Sequence, residues 1–99
     1  MQEVRHVAVF TSSPDCTPRV FVYRETWDDT LVCWRRGRAV TSHRWNRPHS
    51  EILSDGVLVE ALHELGFVAP TSWDHWQELD PRSYAAIVVR EEDLAQLPG

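Results

Sequence analysis

The chain has 99 residues, is 42% hydrophobic and 25% charged, and carries a formal net charge of −5. That length suits one globular domain and that composition is too apolar for a disordered chain. No apolar run is long enough to span a bilayer, and MQEVRHVAVF shows neither a basic leader nor a cleavable apolar stretch, so a cytoplasmic location without a membrane partner is expected.

In chain order, Val4 to Phe10 reads as a mostly buried strand, with His6, Ala8 and Phe10 on one side and Val7 and Val9 on the other. TSSPDCTP follows as a loop whose prolines, Pro14 and Pro18, oppose regular pairing. Arg19 to Glu25 is rich in β-branched and aromatic residues and sets Val20 and Val22 opposite Phe21 and Tyr23. Thr26 to Asp29 reads as a turn, with Trp27 pinning it, into Thr30 to Arg35. Arg35-Arg36-Gly37-Arg38 reads as a hairpin tip, because the glycine can take the positive φ such a turn requires. The returning strand, Ala39 to Trp45, has no cleanly apolar face and is expected at a sheet edge.

A helix is expected from near Ser50 or Ser54 to Leu65, with Leu53, Val57, Leu58, Ala61, Leu62 and Leu65 as its apolar stripe and Gly66 as its stop. Gly56 weakens that helix by roughly 1 kcal/mol relative to alanine. TSWDHWQEL suggests a short second helix with Trp73 and Trp76 on one side. Asp80 to Ser83 is a turn, Tyr84 to Arg90 a strand, and EEDLAQLPG a short terminal helix or frayed tail. The order β-β-β-β-α-(short α)-β-α predicts a small two-layer α+β domain. An antiparallel-rich sheet of about five strands would be covered by one main helix.

Charge is distributed unevenly. Asp29 and Glu51 bracket a stretch without a single carboxylate, and Arg35, Arg36, Arg38, Arg44 and Arg47 within it are half of the ten basic residues, all of them arginine. The other five arginines face all fifteen Asp and Glu residues, so the remainder carries about −10. The absence of lysine fits codon bias, and guanidinium also pairs bidentately with carboxylate or phosphate. Tryptophan and arginine are enriched at binding hot spots. Trp34, Trp45, Trp73 and Trp76 are therefore candidate partly exposed anchors beside Arg35, Arg36, Arg38, Arg44 and Arg47.

These residues point first to a small non-catalytic protein-interaction module: an adaptor, an inhibitor or a self-associating subunit. The alternative partner is single-stranded nucleic acid or RNA, with arginines on phosphates and a tryptophan on an unpaired base, although the net negative charge opposes it. A further reading makes the acidic body compete with nucleic acid for a basic partner.

Enzymatic chemistry has less support. VAVFTSSPDC resembles the strand and cysteine loop of thioredoxin-like redox proteins, but TPRVFVYRE reads as extended where that fold requires a helix, and no CxxC follows. Cys16 would need His6 or His75 to activate it as a nucleophile. Both Cys16 and Cys33 are expected as reduced thiols. His43, His49, His63 and His75 match no closed zinc spacing, and no GxGxxG, P-loop or GxSxG motif is present. Neither a metal nor a cofactor is expected.

Overall fold

The computed structural model describes residues 3–13, 16–48, 52, 56–69, 75–80 and 82–94. In chain order these form β1 (Val4–Ser13), β2 (Cys16–Asp28), β3 (Cys33–Arg44), α1 (Val57–Glu64), β4 (Phe67–Val68), β5 (Gln77–Asp80), β6 (Ser83–Arg90) and α2 (Glu91–Leu94). The strands make one antiparallel sheet in the order β3-β2-β1-β6-β4, with β5 pairing β6 beyond this path. The molecule is dominated by this sheet, and the described helices are short. It is not plainly the α+β domain under one main helix that the apolar stripe suggests.

Alternation decides the faces of the sheet. Register sets Ala8 between Val22 and Ala86, and Phe10 between Val20 and Tyr84, so these side chains share an inner face. Leu58, Ala61 and Leu62 of α1 bury against this face together with Ile52, Trp45, Phe67, Ala69 and Trp76. Leu58 and Leu62 each contribute about 2 kcal/mol through lost apolar exposure. Glu60, His63 and Glu64 stay exposed. Gly56 takes φ 68 at the N-cap of α1, so the covering helix starts at Val57. The expected starts at Ser50 and Ser54 lie outside the described residues. Gly66, at φ 93, ends the helix as its sequence position suggests, its N–H donating to the His63 carbonyl.

The largest correction concerns the arginine tip. Arg35 to Arg38 make no turn. They lie inside β3, and the chain reverses earlier, at residues 29–32, where Val32 adopts φ 54. The carboxylate of Asp28 holds that reversal by accepting the backbone N–H groups of Thr30 and Leu31 at 2.9 and 3.0 Å, an Asx-type arrangement. β2 therefore runs through the expected turn at Thr26 to Asp28.

Gly37 serves another purpose. Two register shifts interrupt the β2–β3 ladder, at Val22/Tyr23 and at Tyr23/Glu25, and each inserts one extra residue into β3. A Cβ on Gly37 would lie 3.3 Å from the Arg24 carbonyl oxygen, so glycine permits close backbone approach where the strand is bulged.

At the other end of β2, Pro18 sits at the register shift between Thr11 and Ser13, where its missing N–H removes no regular rung. Its carbonyl accepts the Trp45 N–H at 3.0 Å. Of the expected second helix, His75 lies in a 3₁₀ turn and the last part, from Gln77, extends instead as β5 (Gln77–Asp80). Residues 71–74, including Trp73, lie outside the described part. β6 lies beside β1, and β3 is an edge strand as its mixed faces predict.

Candidate functional site on the arginine-bearing edge strand

The outer face of the sheet is built around Glu25. Register places Arg5 of β1 opposite Glu25 of β2, and Glu25 opposite Arg36 of β3. Arg5 Nε donates to Glu25 Oε1 at 2.8 Å and Arg36 Nε donates to Oε2 at 3.0 Å. The carboxylate is buried, while both guanidiniums reach solvent.

The aromatic residues complete this layer. The Arg5 guanidinium lies 4.2 Å over the Trp34 ring, and that of Arg36 lies 4.8 Å from Tyr23. Trp27 meets Trp34 edge to face at 5.5 Å, and its Nε1 donates to Asp29 Oδ1 at 2.7 Å. It sits in β2 and contacts the reversal at residues 29–32 rather than a turn at Thr26 to Asp29. Arg5, Tyr23 and Glu25 escape a reading confined to the arginine-rich stretch. Alternation puts Tyr23 and Glu25 on one face of β2, but only the β1–β2 register brings Arg5 beside them.

The arginines of β3 thus divide into two groups. Arg36 is held by Glu25, and Arg35 makes a long contact of 3.5 Å with Asp28. The Asp28 pKa falls below its ordinary 3.8, chiefly because the Leu31 N–H stabilises its charged form. At the other end of β3, Arg44 Nε donates to the neutral Thr17 hydroxyl at 2.7 Å and stands directly opposite Arg19. Arg38 and Arg47 are exposed. None of these four arginines forms a salt bridge among the described residues.

The tryptophans divide similarly. Trp34 is half-buried on the outer face. Trp45 and Trp76 are 6% and 7% exposed and belong to the core. Trp45 packs edge to face on Phe10 at 5.9 Å. Neither is the partly exposed anchor expected from the sequence, because the inner face needs large side chains beyond the reach of a short helix.

Two hollows flank the sheet. One, of about 870 Å³, is lined by Glu3, Trp27, Asp28, Asp29, Arg35 and Arg36 at the β2–β3 turn. The other, of about 970 Å³, lies on the inner face past the end of α1 and includes His6, Arg24, Thr41, Phe67, Arg90 and Asp93. Burial holds the His6 pKa below 6.5, aided by Arg90 and Arg24 and opposed by Asp93. The imidazole lies 5.3 Å from the Phe67 ring.

Cys33 is a free, exposed thiol. The side chain of Cys16 lies outside the described part, as does His49. His43 packs on Trp45 at 4.7 Å, while His63 and His75 are exposed. Among the described residues no group of His, Cys, Asp and Glu has the arrangement of a metal site, and no helix is long and apolar enough to cross a membrane. In comparisons with known proteins, no family model, curated protein or solved structure matches this chain.

Proposed function

We propose that the chain is a small protein-interaction module that docks its partner along β3 and the adjoining outer face. The observation that carries this reading is the group Arg38, Arg44 and Arg47 at a sheet edge, with Arg19 opposite Arg44, none of which forms a salt bridge among the described residues. Like charges directly opposite across a ladder, as at Arg19 and Arg44, are destabilising. A carboxylate-bearing partner would relieve that repulsion. The half-buried Trp34, already capped by Arg5, offers a firm aromatic shoulder rather than a loose anchor.

The nucleic-acid reading has weaker support. Single-strand binders stack bases on open aromatic faces, whereas the Trp34 and Tyr23 rings here carry Arg5 and Arg36. The net charge of −5 also gives an unfavourable far field.

Affinity capture from native lysate, with and without nuclease, tests the proposal. The expected result is a protein partner that survives nuclease and is lost with combined Arg38→Glu, Arg44→Glu and Arg47→Glu replacement. Binding that disappears on nuclease treatment contradicts it.

A further inference from the structure

We infer that the open edge of β3 at Thr41–Arg44 accepts an extended acidic strand from a partner protein, continuing the sheet by one strand. This rests on the interaction reading above and names its partner class.

Among the described residues β3 terminates the sheet and pairs with β2 alone. Its outward backbone groups are therefore a template for another strand. The bulges leave two stretches of regular spacing, Cys33–Arg36 and Thr41–Arg44. The first is a poor seat for an acidic strand. Glu25 and Asp28 already engage its arginines, and Glu3, Asp28 and Asp29 line the hollow beside it. The second carries Arg44 against Arg19, with Arg38 before it and Arg47 after it, and no salt bridge on any of them among the described residues.

Charge complementarity also argues against a second copy of this chain. Antiparallel pairing of β3 with itself would bring its arginines together, and no carboxylate lies anywhere between Asp29 and Glu51 to offset them. Side-chain alternation then sets the partner's pattern. Ser42 and Arg44 share the outer face, while Thr41 and His43 share the inner face beside the buried Trp45. An incoming strand should place carboxylates on the first side and apolar residues on the second.

Fluorescence anisotropy with labelled peptides of about ten residues provides the test. The probes are alternating Glu/Val, alternating Lys/Val, and two Glu/Val peptides N-methylated at odd or at even positions. Strand addition predicts that Glu/Val binds at least about tenfold more tightly than Lys/Val, with one N-methylated register about tenfold weaker than the parent and the other little changed. It also predicts that Arg44→Glu and Arg19→Glu each weaken Glu/Val binding, with circular dichroism confirming that the variants are folded.

Equal binding of both N-methylated peptides and the parent overturns strand addition. So does binding of an oligothymidylate in place of Glu/Val. A nuclease-resistant protein partner that Glu/Val does not displace overturns this inference alone, whereas the absence of any protein partner overturns the interaction reading beneath it.

Discussion

Glu25 shows how one buried carboxylate organises three strands. It neutralises Arg5 and Arg36, and those guanidiniums in turn cover Trp34 and Tyr23. Removing it leaves two cations facing each other across β2. Both arginines are substantially exposed, so solvent reduces the cost below that of a fully buried pair. Glu25→Ala should lower unfolding free energy by about 1–3 kcal/mol in urea titrations, and Glu25→Gln by less. A change within error of zero would show that the triad is only a surface arrangement.

Arg19 and Arg44 predict a change of the opposite sign. Arg19→Glu replaces a like-charge cross-strand pair with an opposite-charge one. It should stabilise the fold by about 0.5–1 kcal/mol while weakening acidic-peptide binding. A destabilised Arg19→Glu variant would mean that Arg19 has a structural role at this edge.

His6 gives a pH signature. Its folded pKa lies below 6.5, through burial first and then the charges of Arg90 and Arg24. Between those two values the unfolded chain binds more protons than the folded one, so stability rises with pH. The contribution of neutral His6 is complete above 6.5 and is lost as pH falls through 6.5 towards the folded value. Denaturation midpoints measured across this interval should fall in the native protein and fall less in His6→Gln.

At the scale of elements, β3 is the part where local sequence misleads. Glycine among arginines resembles a hairpin tip because local chemistry permits a turn there. The turn forms instead where Asp28 can accept two backbone N–H groups, and Gly37 is used for close approach to Arg24. Gly37→Val should cost about 1–2 kcal/mol through overpacking against that carbonyl, measured by thermal unfolding. An unchanged midpoint would indicate that β3 moves aside freely.

Alternation in β1, β2 and β6 was legible because each has one apolar and one mixed face, and the edge position of β3 followed from its lack of either. The inner burial of Trp45 and Trp76 was not legible. It depends on how little of the sheet α1 covers, a property of three-dimensional assembly. Likewise, arginine density marked β3, but the division between neutralised and unneutralised arginines depends on cross-strand register with Glu25 and Arg19, which composition does not encode.

Across the whole molecule, an acidic chain gathers Arg38, Arg44 and Arg47, with Arg19 opposite, at and beside one edge strand, without a salt bridge among the described residues. The far field repels polyanions, while the near field at Thr41–Arg44 favours carboxylates brought there by a specific backbone. Peptide affinity should therefore fall with added salt but not vanish, since strand pairing persists when charges are screened.

Amide hydrogen exchange of the native protein, with and without the Glu/Val peptide, tests this central claim most directly. The account predicts slower exchange at outward-facing amides within Thr41–Arg44 and little change in Cys33–Arg36 or β1. Unchanged exchange throughout Thr41–Arg44 at saturating peptide would contradict it.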